Sequence, residues 1–296
     1  MITFKQFLFE GGAATSDLGT ERANKQDMEA ALKFIVKHTG LDMEELKSNL
    51  LGSTGHTLAG HRKDSGDVDI AFEDGKHNRE ELIAKMKAAT GMEKVHQTGA
   101  GTYSFAVPGV GKKKVQVDFM FVPSEEWARF GYHSSHESKY KGVVRAMLFI
   151  NLMQQLYVPG KDITIKDPDG TEVVRVRRAF KADGGLERLF KIAPMRKDGK
   201  GRTALRKATP EEVEAELKRM GQQVSFSKDA DPIRDPQAAV TFMFGKGVKP
   251  GDVDTAEKII ALIKKRKDHA VILQNAAKDI EKLGLPVPDE IKEFAQ

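Results

Sequence analysis

Residues 50–72, LLGSTGHTLAGHRKDSGDVDIAF, decide the fold together with a partner stretch at 115–122, VQVDFMFV. Side chains alternate across an extended strand, so Asp67 and Asp69 point to one face while Val68, Ile70 and Phe72 point to the other. The same parity sends Val115, Val117, Phe119 and Phe121 inward and leaves Gln116, Asp118 and Met120 outward. Two neighbouring strands of this kind bring Asp67, Asp69 and Asp118 together. Hard oxygen ligands on rigid strands suit Mg²⁺, which favours carboxylates plus substrate phosphates, and suit a two-metal in-line displacement at phosphorus. Gly52-Ser53 lies upstream, in a turn expected to open a short helix over 54–60. Backbone N–H groups at such a turn are placed to hold a phosphate, and a glycine lets the chain come close.

In this order the residues resemble the nucleotidyltransferase superfamily that includes DNA polymerase β, CCA-adding enzymes and the small antibiotic nucleotidyltransferases. Its pattern is an apolar residue, Gly-Ser, a spacer, Asp-x-Asp between apolar residues, and a later strand with one more carboxylate. Here these read Leu51, Gly52-Ser53, Asp67-Val68-Asp69 and Asp118. Asp-x-Asp alone is common at strand ends, and Gly-Ser alone more often marks a loop. The agreement in order and strand context carries the resemblance, which covers 50–122. The spacer is long, and the loop 61–66, HRKDSG, is not explained by the pattern. The resemblance implies an α/β core, a small mixed sheet flanked by helices. It also implies two Mg²⁺ ions at Asp67, Asp69 and Asp118, with Asp118 activating the attacking hydroxyl and Gly52 and Ser53 holding a nucleoside triphosphate.

Composition sets the outer bounds. A chain of 296 residues with 40% hydrophobic and 31% charged residues reads as soluble and globular, with room for one large or two ordinary domains. No apolar run is long enough to span a bilayer, and no charged leader precedes an apolar signal core. The absence of cysteine excludes disulfides and thiolate metal sites. Nothing in the sequence bears on oligomeric state.

Along the chain, residues 1–10, MITFKQFLFE, precede a Gly-Gly-Ala-Ala-Thr-Ser stretch. They resemble the cleavable head-targeting leader of internal proteins of large tailed bacteriophages, in which a protease cuts after an aliphatic residue, any residue and Glu; Leu8-Phe9-Glu10 fits. That resemblance implies a virion protein later delivered to a host cytoplasm. Residues 27–38 read as an amphipathic helix stopped by Gly40, 42–50 as a short helix, and 78–89 as a helix capped by Asn78. Residues 93–107 read as extended and 108–111 as a turn; Lys112, Lys113 and Lys114 mark a basic hairpin tip. His133 and His136 have the look of metal ligands, but no further His or Cys at suitable spacing completes a site, and a helix-entry loop is expected. The helix over 143–156 follows the third carboxylate, so Lys139 and Arg145 are candidates to face the nucleotide.

A hairpin is expected over 161–177, turning at Asp167-Pro-Asp-Gly170. From Arg175 to Lys207 there are twelve Lys or Arg against three Asp or Glu. Within that span the basic loop Arg196, Lys197, Lys200 and Arg202 is the candidate polyanion contact. Helices are expected from Pro210, from Asp254 and over 269–283. The organisation expected is a leader and flexible N-terminus (1–23), a nucleotidyltransferase core (24–130), a basic substrate region (131–228) and a helical C-terminal region (229–296). The expected reaction is transfer of a nucleoside monophosphate from a triphosphate to a hydroxyl, on a nucleic-acid end in preference to a host protein. The alternative is a non-catalytic, basic nucleic-acid-binding or packaging protein on a degenerate fold of this type.

Overall fold

The computed structural model describes residues 15–98, 101–133, 135–156, 163–166, 168, 170–194, 205–222 and 232–295. After a single 3-10 turn at Ser16–Leu18 the described chain enters β1 (Ala23–Asn24) and α1 (Lys25–Thr39), where Asn24 and Asp27 cap each other's backbone N–H and Gly40 closes the helix at φ 80°. A short α2 (Met43–Ser48), capped by Asp42, leads to α3 (Gly52–Leu58). Then come β2 (Asp64–Ser65), which pairs with β1, and β3 (Val68–Glu73). Helix α4 (Arg79–Thr90), capped by Asn78, leads on to β4 (His96–Thr98), β5 (Thr102–Pro108) and β6 (Lys114–Val122). The sheet order is β3-β6-β5-β4, with β3 parallel to β6 and the other pairs antiparallel. Parallel neighbours need a long crossover, which α4 and the β4–β5 pair supply.

One face of this sheet follows the expected parity. Val68, Ile70, Phe72, Val117 and Phe119 are buried with Met28, Leu32 and Ile35 of α1 and Leu82 and Met86 of α4. Each such side chain contributes about 1.5–3 kcal/mol by leaving water. The other face departs from expectation. Gln116 and Met120, read as outward, are buried, and Ala71, Met120 and Val122 pack with Leu51 and Ala128 in a second small cluster. The cover comes from α5 (Glu125–Gly131) over Met120 and from Thr15 over Gln116, which a strand's own alternation does not report.

The N-terminal boundary is also corrected. Thr15 is buried and bonded to Gln116, Thr20 bridges to Lys114, and Ala23 lies in the core. Residues 15–23 therefore belong to the fold, while the leader 1–10 lies outside the described residues. The basic hairpin tip is docked, because Lys113 Nζ is 2.5 Å from Asp27 Oδ2. Burial pushes the Asp27 carboxyl up, but the Lys113 ammonium and the N–H groups of Asn24 and Val110 outweigh it and hold it below its ordinary value.

The second half is built on α6 (Gly142–Gln155) and an antiparallel sheet of β7 (Ile163–Lys166), β8 (Glu172–Lys181), β9 (Gly185–Ile192) and β10 (Arg206–Lys207), in the order β10-β9-β8-β7. Helix α7 (Pro210–Arg219) lays Val213 and Leu217 on one face of that sheet, against Val174, Val176 and Ile192. Helices α8 (Pro236–Phe244), α9 (Ala256–Lys264) and α10 (His269–Lys282) share a core with α6. Strand β9 and helix α8 are elements that the sequence reading did not assign. The boundaries placed at 130 and 228 do not separate cores: Trp127 and Phe130 of α5, Phe149 of α6, Phe180 of β8 and Val240 of α8 are in one cluster. Trp127 fastens the join, its indole N–H donating to the Lys181 carbonyl at 2.8 Å. Among the described residues no helix is long and apolar enough to cross a membrane.

Candidate active site

The parallel register sets Asp69 of β3 directly beside Asp118 of β6, as Val68 is set beside Val117. Asp67 immediately precedes β3, and one carboxylate oxygen from each of Asp67, Asp69 and Asp118 lies within 4.8 Å of the others. Asp67 and Asp118 are buried, and Asp69 is partly exposed. Burial first, then the charges of Asp67 and Asp118, raise the Asp69 carboxyl well above its ordinary value. Three carboxylates crowded in this way repel one another, and a divalent cation bound among them would remove the repulsion. The donor set thus fits Mg²⁺, which takes oxygen ligands.

Two polar residues beyond the motif hold this arrangement. Gln116 donates from Nε2 to both Asp118 oxygens, at 3.1 and 3.0 Å. Its orientation is set from the other end, where its Oε1 accepts from the Thr15 N–H and hydroxyl, each at 3.1 Å. Thr54 is buried and cross-links α3 to the strand: its hydroxyl donates to the Asp67 carbonyl and accepts from the Asp69 N–H at 3.1 Å. Neither is conspicuous in the sequence, since a Gln in a strand and a Thr in a first helical turn are ordinary residues there.

Gly52 and Ser53 sit where the turn was expected, starting α3. The preceding residues run alongside β3, with the Leu51 N–H on the Asp69 carbonyl and the Ala71 N–H on the Asn49 carbonyl. Gly52 has φ 57°, and a Cβ there would lie 3.9 Å from Asp69 Oδ2 and 3.7 Å from the Tyr132 carbonyl oxygen. The glycine therefore permits a left-handed backbone beside the carboxylates. The Ser53 hydroxyl is 2.6 Å from that of Ser65. Tyr132 borders the same place; burial, then Asp183 and Asp69, raise its phenol well above the ordinary value and keep it protonated.

Two other candidates fall elsewhere. Arg145 is not at the cleft: its side chain is buried, with Nε on the Val253 carbonyl, Nη1 on the Phe130 carbonyl, and its guanidinium over the rings of Phe130 and Phe149. The helix packs in one core with α5 and the C-terminal helices, so a cation on it is enclosed. Lys139 is exposed and lies against the C-terminal segment, its N–H on Glu257 and its charge acting on Asp289. Arg196, Lys197, Lys200 and Arg202 lie outside the described residues.

The segment holding His136 is a loop that leads into α6, as expected. His136 lies beside His56 of α3 and His61 of the inserted loop, with a ring nitrogen of each within 4.8 Å of the others. The partners were missed because they are remote from His136 in sequence. On the second sheet, Arg175 of β8 stands opposite Lys191 of β9, and Lys191 opposite Lys207 of β10. Burial, then Arg175, Lys207 and Arg177, lower the Lys191 ammonium from its ordinary value. A shallow pocket lined by Lys181, Glu187, Arg188, Phe190 and Lys207 opens beside the row.

No family model matches this chain, and no curated protein matches it.

Proposed function

We propose that the protein is a nucleotidyltransferase that moves a nucleoside monophosphate from a triphosphate to a hydroxyl acceptor. The observation that carries this reading is the in-register meeting of Asp69 and Asp118, with Asp67, beside a left-handed Gly52 at the start of α3. Asp67, Asp69 and Asp118 would hold two Mg²⁺ ions. Such ions, when bound, lower the nucleophile's pKa and neutralise charge on the departing oxygens. The chain's own part is positional. Gln116 orients Asp118, the carboxylate next to the attacking hydroxyl; Thr54 fixes α3 to β3; Gly52 and Ser53 offer the backbone that receives the triphosphate.

A polyanionic acceptor, a nucleic-acid end before a protein, is supported by the Arg175, Lys191 and Lys207 row. Arg175 is ion-paired with Glu172 of its own strand, but Lys191 and Lys207 stand directly opposite one another at a cost in stability, and an anion lying across them would relieve it. The same row favours a second reading, a non-catalytic nucleic-acid-binding or packaging protein. Residence in a phage head, followed by delivery to a host, belongs to the proposal on the strength of Leu8-Phe9-Glu10 alone.

Pyrophosphate release from labelled nucleoside triphosphates, with RNA, DNA and cell lysate supplied in turn, tests the reading. Release that needs Mg²⁺ and disappears in Asp69→Asn is expected. Salt-sensitive nucleic-acid binding with no release from any acceptor would leave the second reading standing instead.

A further inference from the structure

We propose that His56, His61 and His136 form a transition-metal site of the zinc type, separate in its chemistry from the carboxylate cluster. Three segments supply the ligands. His56 is on α3, His61 lies in the inserted loop just beyond it, and His136 lies between α5 and α6. The rings are already close: centroids are 4.4 Å apart for His61 and His136, 5.7 Å for His56 and His136, and 6.1 Å for His56 and His61. A ring nitrogen of each falls within 4.8 Å of the others. Tetrahedral ligands at about 2.0–2.1 Å from Zn²⁺ stand roughly 3.3 Å apart, so closure asks for small rotations. His61 and His136 are exposed and free to make them, while the loop is anchored where the His61 and Arg62 N–H groups meet the His56 carbonyl.

Donor chemistry separates the two clusters. Neutral imidazoles select Zn²⁺ and its neighbours in the transition series, whereas carboxylates select Mg²⁺, Ca²⁺ and Mn²⁺. Three protein nitrogens leave a fourth position for water or an anionic oxygen, the arrangement of an open site. Coordination would tie the inserted loop to the segment entering α6. It would thereby give a purpose to the long spacer between Ser53 and Asp67. The proposal does not depend on nucleotidyl transfer.

The test uses the full chain, stripped with a chelator and titrated with Zn²⁺ against a chromophoric competitor. Wild type should take up a single Zn²⁺, and so should the Asp67→Asn, Asp69→Asn, Asp118→Asn triple variant. The His61→Gln, His136→Gln double variant should bind it more than about 100-fold more weakly, beyond what loss of a merely supporting contact produces. Both replaced side chains are exposed, so the metal-free double variant should melt like wild type. In wild type itself, Zn²⁺ should shift the imidazole NMR resonances of three histidines, a readout that needs no variant. Failure of wild type to bind Zn²⁺, equal affinity in the histidine variant, or loss of binding only in the aspartate variant would each overturn the proposal.

Discussion

Replacing Arg145 should damage the fold, because its guanidinium links α6 to two other segments. Its Nη1 and Nε each donate at 2.7 Å, to the Phe130 carbonyl at the end of α5 and to the Val253 carbonyl before α9. The charge also lies 4.6 Å from the Phe130 ring centroid and 4.7 Å from that of Phe149. A hydrogen bond from a charged donor is worth about 1.5–3 kcal/mol; without Arg145 the Phe130 carbonyl keeps the His133 N–H, while the Val253 carbonyl loses its side-chain donor. Against this stands the cost of burying the cation, which pushes the Arg145 pKa down to about 9 and still leaves it charged at neutral pH. The balance for Arg145→Ala is a loss of about 3–5 kcal/mol, two charge-assisted hydrogen bonds less the desolvation cost that is relieved. Arg145→Met fills the space and removes the desolvation cost, so it should lose less. Lysine cannot reach both carbonyls with one ammonium and should not restore stability. The assay is urea unfolding followed by Trp127 fluorescence, since this indole is in the same cluster. With a slope of about 3 kcal/mol per M, the Ala midpoint should fall by roughly 1 M or more. If the midpoint held while triphosphate affinity fell, Arg145 would be a nucleotide ligand and its assignment to the core would be wrong.

Gln116→Met should keep the fold but release Asp118 and leave the Thr15 N–H unpaired, while the Thr15 hydroxyl keeps Thr20. The expected loss is about 1–3 kcal/mol in stability and roughly 10–100-fold in nucleotidyl transfer; an unchanged rate at saturating Mg²⁺ would remove Gln116 from the site. Burial first, then Arg145 and His56, lower the His133 pKa to about 4. The unfolded chain therefore takes up that proton first, so stability from His133 is complete above about 6.5 and drains away as pH falls towards 4. In metal-free buffer His133→Gln should flatten the acid side of the melting curve between these values, and parallel curves would show that the ring is hydrated. Gly131→Ala should destabilise strongly, because a methyl there overlaps the Ala182 backbone, 2.8 Å from its Cα; an unshifted melting temperature would mean that the α5–β8 turn contact gives way easily.

What residues 50–72 and 115–122 determined by themselves was local. Alternation named the strands and their apolar face, elsewhere in the chain Gly40 and Asn78 marked helix ends, and the order of Gly52, Ser53, Asp67, Asp69 and Asp118 marked one candidate site. Such signals come from neighbours along the chain, whose geometry any extended or helical segment repeats. Coverage of a surface is not a property of that kind. Gln116 and Met120 have the parity of an open face and are buried because Thr15 of the N-terminal segment docks on the first and α5 packs over the second. Arg145 has the residue type of a surface cation and lies over the Phe130 and Phe149 rings because α5 and the C-terminal helices pack in one core with α6. Strand β9 contains Leu186, Glu187, Arg188, Leu189 and Lys191, residue types that favour a helix locally, and pairing with β8 along its whole length makes it a strand. Register then aligned Arg175, Lys191 and Lys207, and folding gathered His56, His61 and His136 from three segments. Adjacency between segments remote in sequence is settled by which surfaces pack together, and only the tertiary structure decides that.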